Sequence, residues 1–102
     1  MKNILNEIKK ERQRQDAKWG EQNHNLVEWM AILTEEVGEA SKEALEYHFA
    51  SKELNEQLPE NKEAFRLKLQ LLRMELVQTA AVAVSIIESM ERNQLLWTKE
   101  DK

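Results

Sequence analysis

A chain of 102 residues, 41 % apolar and 33 % charged, is sized for one domain around a single packed core. Two glycines and one proline exclude an all-β sandwich and low-complexity disorder, and the absence of cysteine excludes disulfide scaffolds, zinc fingers and thiol catalysis. The net charge of −4 excludes a strongly basic nucleic-acid module, so no nucleic-acid polymer is expected as a partner.

The first stretch, from Asn3 to about Ala17, is rich in helix formers. Its apolar stripe is short: Ile4, Leu5 and Ile8. The polar run from Lys9 to Asp16 predicts either a solvated helix or one lying over a polar site. The opening MKNILNEIKKERQRQD lacks the apolar block of a signal peptide, and with no cysteine present a cytoplasmic location is expected. Gly20 breaks the helical pattern, so Trp19 to Asn25 reads as a loop.

Asn25 is a good N-cap for a second helix, with Glu28 placed for a capping box. This helix is predicted from Leu26 to about Ser51. One face carries Leu26, Trp29, Met30, Leu33, Val37, Ala40 and Ala44, while Glu35 and Glu39 fall opposite and Glu36 on the flank. The polar stretch from Ser51 to about Asn61, with Pro59, reads as a connection.

The third helix is predicted from about Glu60 to Asn93, and it changes character on the way. Up to Arg73 it is amphipathic, with Phe65, Leu69 and Leu72 on one side. From Leu76 to Ile87 it is apolar or small all round, which calls for neighbours on most sides. One small chain has few helices to supply them, so packing against another subunit is expected. That charge-free stretch has 12 residues, against about 20 for a bilayer span, so no membrane partner is expected. The tail from Leu95 to Lys102 predicts a last short helix started by Thr98. The fold class is thus all-α, a helical bundle formed by residues 1–102 as one domain.

The chemistry concentrates on carboxylates. Glu35, Glu36 and Glu39 span about 100° of a helix surface, a group that repels itself at neutral pH unless cations or protons intervene. Carboxylate oxygens suit Mg²⁺ and Mn²⁺, although a solvated acidic face would look the same on a helical wheel. Glu75 is more telling, because it shares a line with Val82 and Ile86. A carboxylate on an apolar face needs a partner: Arg73, Lys68, or a metal bridging to the Glu35 group. Gln78 faces nearly the same way as Glu75, and its amide oxygen can serve as a further weak ligand or hold a water. In the loop, Lys18, Trp19, Gln22 and His24 combine an aromatic plane with hydrogen-bonding groups suited to a nucleobase or sugar, or simply close the core edge and cap the next helix. No glycine-rich phosphate loop, paired histidines or G-x-S-x-G motif is present.

A helix bearing Glu-Glu-x-x-Glu (Glu35, Glu36, Glu39) followed by a helix bearing Glu75 at the first position of the family's Glu-x-x-Asp resembles the all-α nucleoside triphosphate pyrophosphohydrolases, in particular their MazG-like branch. The run from Glu11 to His24 and the run from Glu75 to Ala83 look like those of its small stand-alone members. The resemblance covers about Glu11 to Glu88. It implies a helical bundle of the four-helix type, assembled as a homodimer or homotetramer. It implies Mg²⁺, with Mn²⁺ as substitute, held by Glu35, Glu36, Glu39 and Glu75, with Glu35 or Glu36 in the catalytic step. It implies water attack on the α-phosphate of a nucleoside triphosphate, giving a monophosphate and pyrophosphate. It also implies substrate contacts from Trp19, Gln22 and His24, and Lys18, Arg12 or Arg14 are candidates to neutralise the outer phosphates. The family has an Asp where this chain has Gln78, which removes one negative charge from the metal site.

Two functions of different class follow. The first is a Mg²⁺-dependent nucleotide pyrophosphohydrolase. The second, motivated by Gln78, is a catalytically weak or inactive helical module that binds a nucleotide or a protein.

Overall fold

The computed structural model describes residues 1–93, and they form three helices: α1 (Lys2–Trp19), α2 (Leu26–Glu53) and α3 (Pro59–Arg92). No strand occurs among the described residues, so the chain is all-α. The tail helix expected from Leu95 lies outside them.

Each boundary has a local cause. Gly20 ends α1 at φ 72°, a backbone conformation open to glycine and strained for other residues. Its N–H bonds the Asp16 carbonyl at 2.8 Å. The capping box at α2 is complete: Glu28 N–H donates to Asn25 Oδ1 at 2.8 Å, and Asn25 N–H donates to Glu28 Oε1 at 3.1 Å. Pro59 opens α3, where its missing N–H removes no helical bond. All three helices run one or two residues past at least one expected end, an ordinary uncertainty for frayed termini.

Helices α1 and α2 both pack on α3 and not on each other. Helix α2 runs antiparallel to α3, as the Trp29–Ser89 hydrogen bond at one end and the Tyr47–Phe65 ring contact at the other require. Helix α1 runs parallel to α3, pinned by Glu7–Arg73 (2.5 Å) and Arg12–Glu88 (2.8 Å). The result is long, 60 × 29 × 27 Å, because α3 alone has 34 residues at about 1.5 Å each.

The core sits where all three helices meet. Trp29, Val82 and Ile86 are buried there, with Ile32, Leu33 and Met90 against them. Beyond the reach of α1 only the α2–α3 pair remains, and Phe65 is its buried apolar residue. The apolar face read for α2 is only partly covered. Trp29 and Ala40 are buried, whereas Leu26, Met30 and Val37 are about half exposed. Along α3, Leu76, Val84 and Ile87 are likewise exposed. The cause is stoichiometric: two helices, α1 and α2, cover one side of α3 and leave the other without a neighbour. Over 18 residues α3 also has the length and composition of a membrane span, with 17 % of that stretch buried, although no charge-free run is that long.

Candidate metal centre

The α2–α3 interface buries polar groups at two levels. Near one end, the Trp29 indole N–H donates to Ser89 Oγ at 3.2 Å, and Asn93 Nδ2 donates to the same oxygen at 3.3 Å. Both buried groups are satisfied. Nearer the middle, Glu36 and Glu39 of α2 meet Glu75 of α3, with one oxygen from each all within 4.8 Å of one another. Here Glu36 Oε2 and Glu75 Oε2 are buried and meet no hydrogen-bond donor among the described residues. Buried polar atoms are rarely left so, and one that is calls for a missing partner.

The helical geometry explains the meeting. Glu36 and Glu39 are one turn apart on α2, so they share a face. Glu75 stands two and three turns before Val82 and Ile86, whose buried positions fix its line toward α2. Neither cation on α3 reaches it as a hydrogen-bonded partner. Arg73 is taken by Glu7 on α1, with bonds of 2.7 and 2.5 Å, and Lys68 forms no ion pair with Glu75.

The electrostatics follow. Burial pushes the Glu75 carboxyl above its ordinary range, and the facing carboxyls of Glu39, Glu36 and Glu43 push the same way. Burial also raises Glu36, helped by the charges of Glu39, Glu11 and Glu35. Three carboxyls this close favour protons, or a multivalent cation that replaces them. The donor set is all oxygen and comes from two helices, which suits Mg²⁺ or Mn²⁺ and not a soft metal. Such an ion would supply the missing partner of both orphaned oxygens, so the residues fit it.

Glu35 is exposed and stands outside the three-carboxyl group, although its charge bears on Glu36. Gln78 is half-buried beside the group. It lines a cavity of about 220 Å³ together with Glu36, Trp19, Gln22, Trp29 and Ser85. Trp19 is half exposed at the mouth, and the Lys18 ammonium lies 4.8 Å from its ring centre. Gln22 reaches the same cavity, anchored by Arg92, which donates to the Gln22 carbonyl at 3.0 Å. His24 is turned instead onto Trp29, edge to face at 4.8 Å. The residues read as a base or sugar site therefore divide: Trp19 and Gln22 line the cavity, Lys18 covers Trp19, and His24 packs on the core.

Of the α1 residues at the cavity, the sequence pointed to Arg12 and Arg14 as groups for the outer phosphates and not to Glu11, Gln15 or Asp16. Glu11, Arg12, Arg14, Gln15 and Asp16 of α1 line the same cavity, so the polar half of α1 lies over a polar site. Gln15 is buried: its Oε1 accepts from Arg12 Nη1 at 3.2 Å and its Nε2 donates to Glu11 Oε2 at 3.3 Å. The absence of apolar residues after Ile8 was the available signal. It did not say which of the two polar settings held.

Comparisons of the chain with protein-family models, with curated proteins and with solved structures gave no match.

Proposed function

We propose that the chain is a Mg²⁺-dependent hydrolase that cleaves nucleoside triphosphates to the monophosphate and pyrophosphate. The observation that carries this reading is the pair of orphaned oxygens on Glu36 and Glu75. Together with Glu39 they form an oxygen-only donor set that borders, through Glu36, a cavity rimmed by tryptophan, glutamine and arginine. The motif resemblance implies these three residues for the same purpose, with Glu35 as a fourth ligand that stands outside the group here.

The division of labour follows from placement. Glu36, Glu39 and Glu75 hold the cation, and Gln78 beside them positions water or a phosphoryl oxygen through its amide. Mg²⁺ bound there polarises phosphoryl oxygens and lowers the pKa of water. Glu35 lies one residue from the group and acts on it through charge. The cavity walls made by Trp19 and Trp29 offer planes for a base.

The exposed apolar surface of α3 extends the proposal to a homo-oligomer. A second copy set against Leu76, Val84 and Ile87 would complete a four-helix arrangement and bury what one chain leaves open. Sedimentation without detergent tests this directly. A discrete dimer or tetramer supports it, and a monodisperse monomer or a detergent requirement contradicts it.

Gln78 favours a second reading, a nucleotide-binding module without turnover. A product assay separates the two. Purified protein is incubated with Mg²⁺ and a panel of ribo- and deoxyribonucleoside triphosphates, and the nucleotides are resolved by ion exchange. Monophosphate without diphosphate supports the enzyme. Saturable nucleotide binding with no product, under Mg²⁺ and Mn²⁺ alike, supports the module.

A further inference from the structure

We propose that Glu11 on α1 supplies the carboxylate that Gln78 does not, and that Arg14 is its exchangeable counter-ion. The guanidinium leaves Glu11 for a phosphate group when a divalent cation and a polyphosphate arrive together. This rests on the reading above and extends the site to a third helix.

Four observations carry it. First, Glu11 lines the cavity that holds Glu36 and Gln78. It also lines the adjoining one of about 280 Å³, between α1 and α3, where Gln78 is again a wall. The α1 carboxylate thus stands over the position where the carboxylate count falls short.

Second, the Glu11–Arg14 pair is lopsided. The Glu11 side chain is 13 % exposed and that of Arg14 51 %. In the Glu7–Arg73 pair between α1 and α3 the values are 42 and 53 %, and in Glu63–Arg66 they are 65 and 56 %. Those are ordinary solvated pairs. Glu11 instead is a sheltered anion whose cation lies toward solvent.

Third, the two arginines at the cavity differ in freedom. Arg12 is held by Glu88, Asp16 and Gln15 at once, at 2.8, 3.0 and 3.2 Å. Arg14 hydrogen-bonds Glu11 alone, at 2.9 and 2.5 Å, and its guanidinium lies 6.0 Å from the Trp19 ring centre at the outer limit of a cation–π contact. Arg14 can swing away without breaking the frame. A guanidinium fork that matches a carboxylate matches a phosphate equally well.

Fourth, Glu11 keeps its place when Arg14 departs. Gln15 Nε2 holds its Oε2, and Arg12 fixes Gln15 in turn. The carboxylate stays positioned and becomes short of positive charge, on the cavity it shares with Glu36, whose buried oxygen already lacks a partner as does that of Glu75 behind it. A second cation is the group that answers both.

The test is a titration of the full chain with Mn²⁺, reading free Mn²⁺ by electron paramagnetic resonance, with helical content checked by circular dichroism. Glu36→Gln is expected to abolish tight binding. Glu11→Gln is expected to weaken it by about tenfold or more, as for supporting groups around metal sites. Arg14→Gln is expected to shift it the opposite way, a few-fold tighter, because the competing cation is gone. With inorganic tripolyphosphate as base-free probe on Mn²⁺-loaded protein, Arg14→Gln is expected to bind it more weakly than wild type. Glu63→Gln is expected to change neither. Unaltered Mn²⁺ affinity in both Glu11→Gln and Arg14→Gln, with wild type binding and Glu36→Gln not, overturns this proposal and leaves the metal centre standing. No Mn²⁺ binding by wild type overturns the metal centre itself, and this proposal with it. If Glu11→Gln loses helicity, the sign of the Arg14→Gln shift decides.

Discussion

The two polar levels of the α2–α3 interface are a natural experiment. At Trp29 and Ser89 a buried donor meets a buried acceptor, and the chain completes its own hydrogen bonds. At Glu36 and Glu75 two buried oxygens on the same pair of helices meet nothing. Both levels lie in an interface built by the same antiparallel packing, so backbone geometry is not the cause. The difference is that protein groups complete the hydrogen bonds at one level and leave two oxygens without a partner at the other. Finished polar contacts serve folding. Unfinished ones cost stability until a ligand arrives, which is how a site differs from a core.

The largest expected break of this comparison is catalytic. Glu36→Gln and Glu75→Gln are each expected to reduce turnover by more than the roughly 100-fold that loss of an outer-shell partner costs, because a ligand itself is removed. Both variants should stay folded, since the amide relieves carboxyl repulsion. Steady-state rates of monophosphate release check this, and wild-type rates in both would remove the carboxyls from the mechanism.

At the finished level the large effect falls on stability. Trp29→Ala removes the centre of the core and is expected to cost about 3–5 kcal/mol in urea unfolding. Ser89→Ala leaves the indole N–H without an acceptor and is expected to cost about 1–3 kcal/mol. Neither predicts a change in metal affinity, so the two levels separate by readout as well as by size.

The pH response sharpens the contrast. Glu36 and Glu75 are raised in the folded chain, so it keeps protons that the unfolded chain releases above about 4.5. Folded-state proton uptake exceeds that of the unfolded state in the window from there up to the raised values. Metal-free stability is therefore expected to fall as pH rises through that window. Metal ligation requires the ionised carboxyls, so stabilisation by Mg²⁺ is expected to grow with pH over the same window. Thermal melts across pH, with and without Mg²⁺, check both slopes. Glu75→Gln should flatten them.

The most local expected effect is at the turn. Gly20 has open space around a would-be Cβ, so Gly20→Ala meets no clash and pays only for φ 72°. With ψ −172° that region is essentially glycine's alone, so the cost is expected to be about 1–3 kcal/mol by chemical unfolding.

Much of the architecture was legible in the sequence, for local reasons. The Asn25–Glu28 capping box, the Gly20 stop and Pro59 are chemical signals that act within a few residues, and the helices follow them. The face that carries Glu75 was legible because Val82 and Ile86 repeat on its line. What the sequence could not convey were contacts set by helix packing. Met30 and Val37 share a wheel face with Trp29, yet they remain exposed because α3 covers only part of that face. Glu35 and Glu36 are adjacent in sequence and look alike, yet only Glu36 turns into the interface. Glu11 and Gln15 lie in a polar run that left a solvated face and a polar site both open, because nothing local says which side of α1 meets α3.

The most direct test of the metal centre is the melting temperature of wild type and Glu75→Gln, with and without Mg²⁺ or Mn²⁺ at constant ionic strength. A ligand that binds only the folded chain must raise its melting temperature. The metal centre predicts that wild type gains with either ion, that Glu75→Gln does not, and that metal-free Glu75→Gln melts above metal-free wild type. An ion-independent melting temperature in wild type would contradict it and leave Glu36, Glu39 and Glu75 as a cluster that holds protons alone.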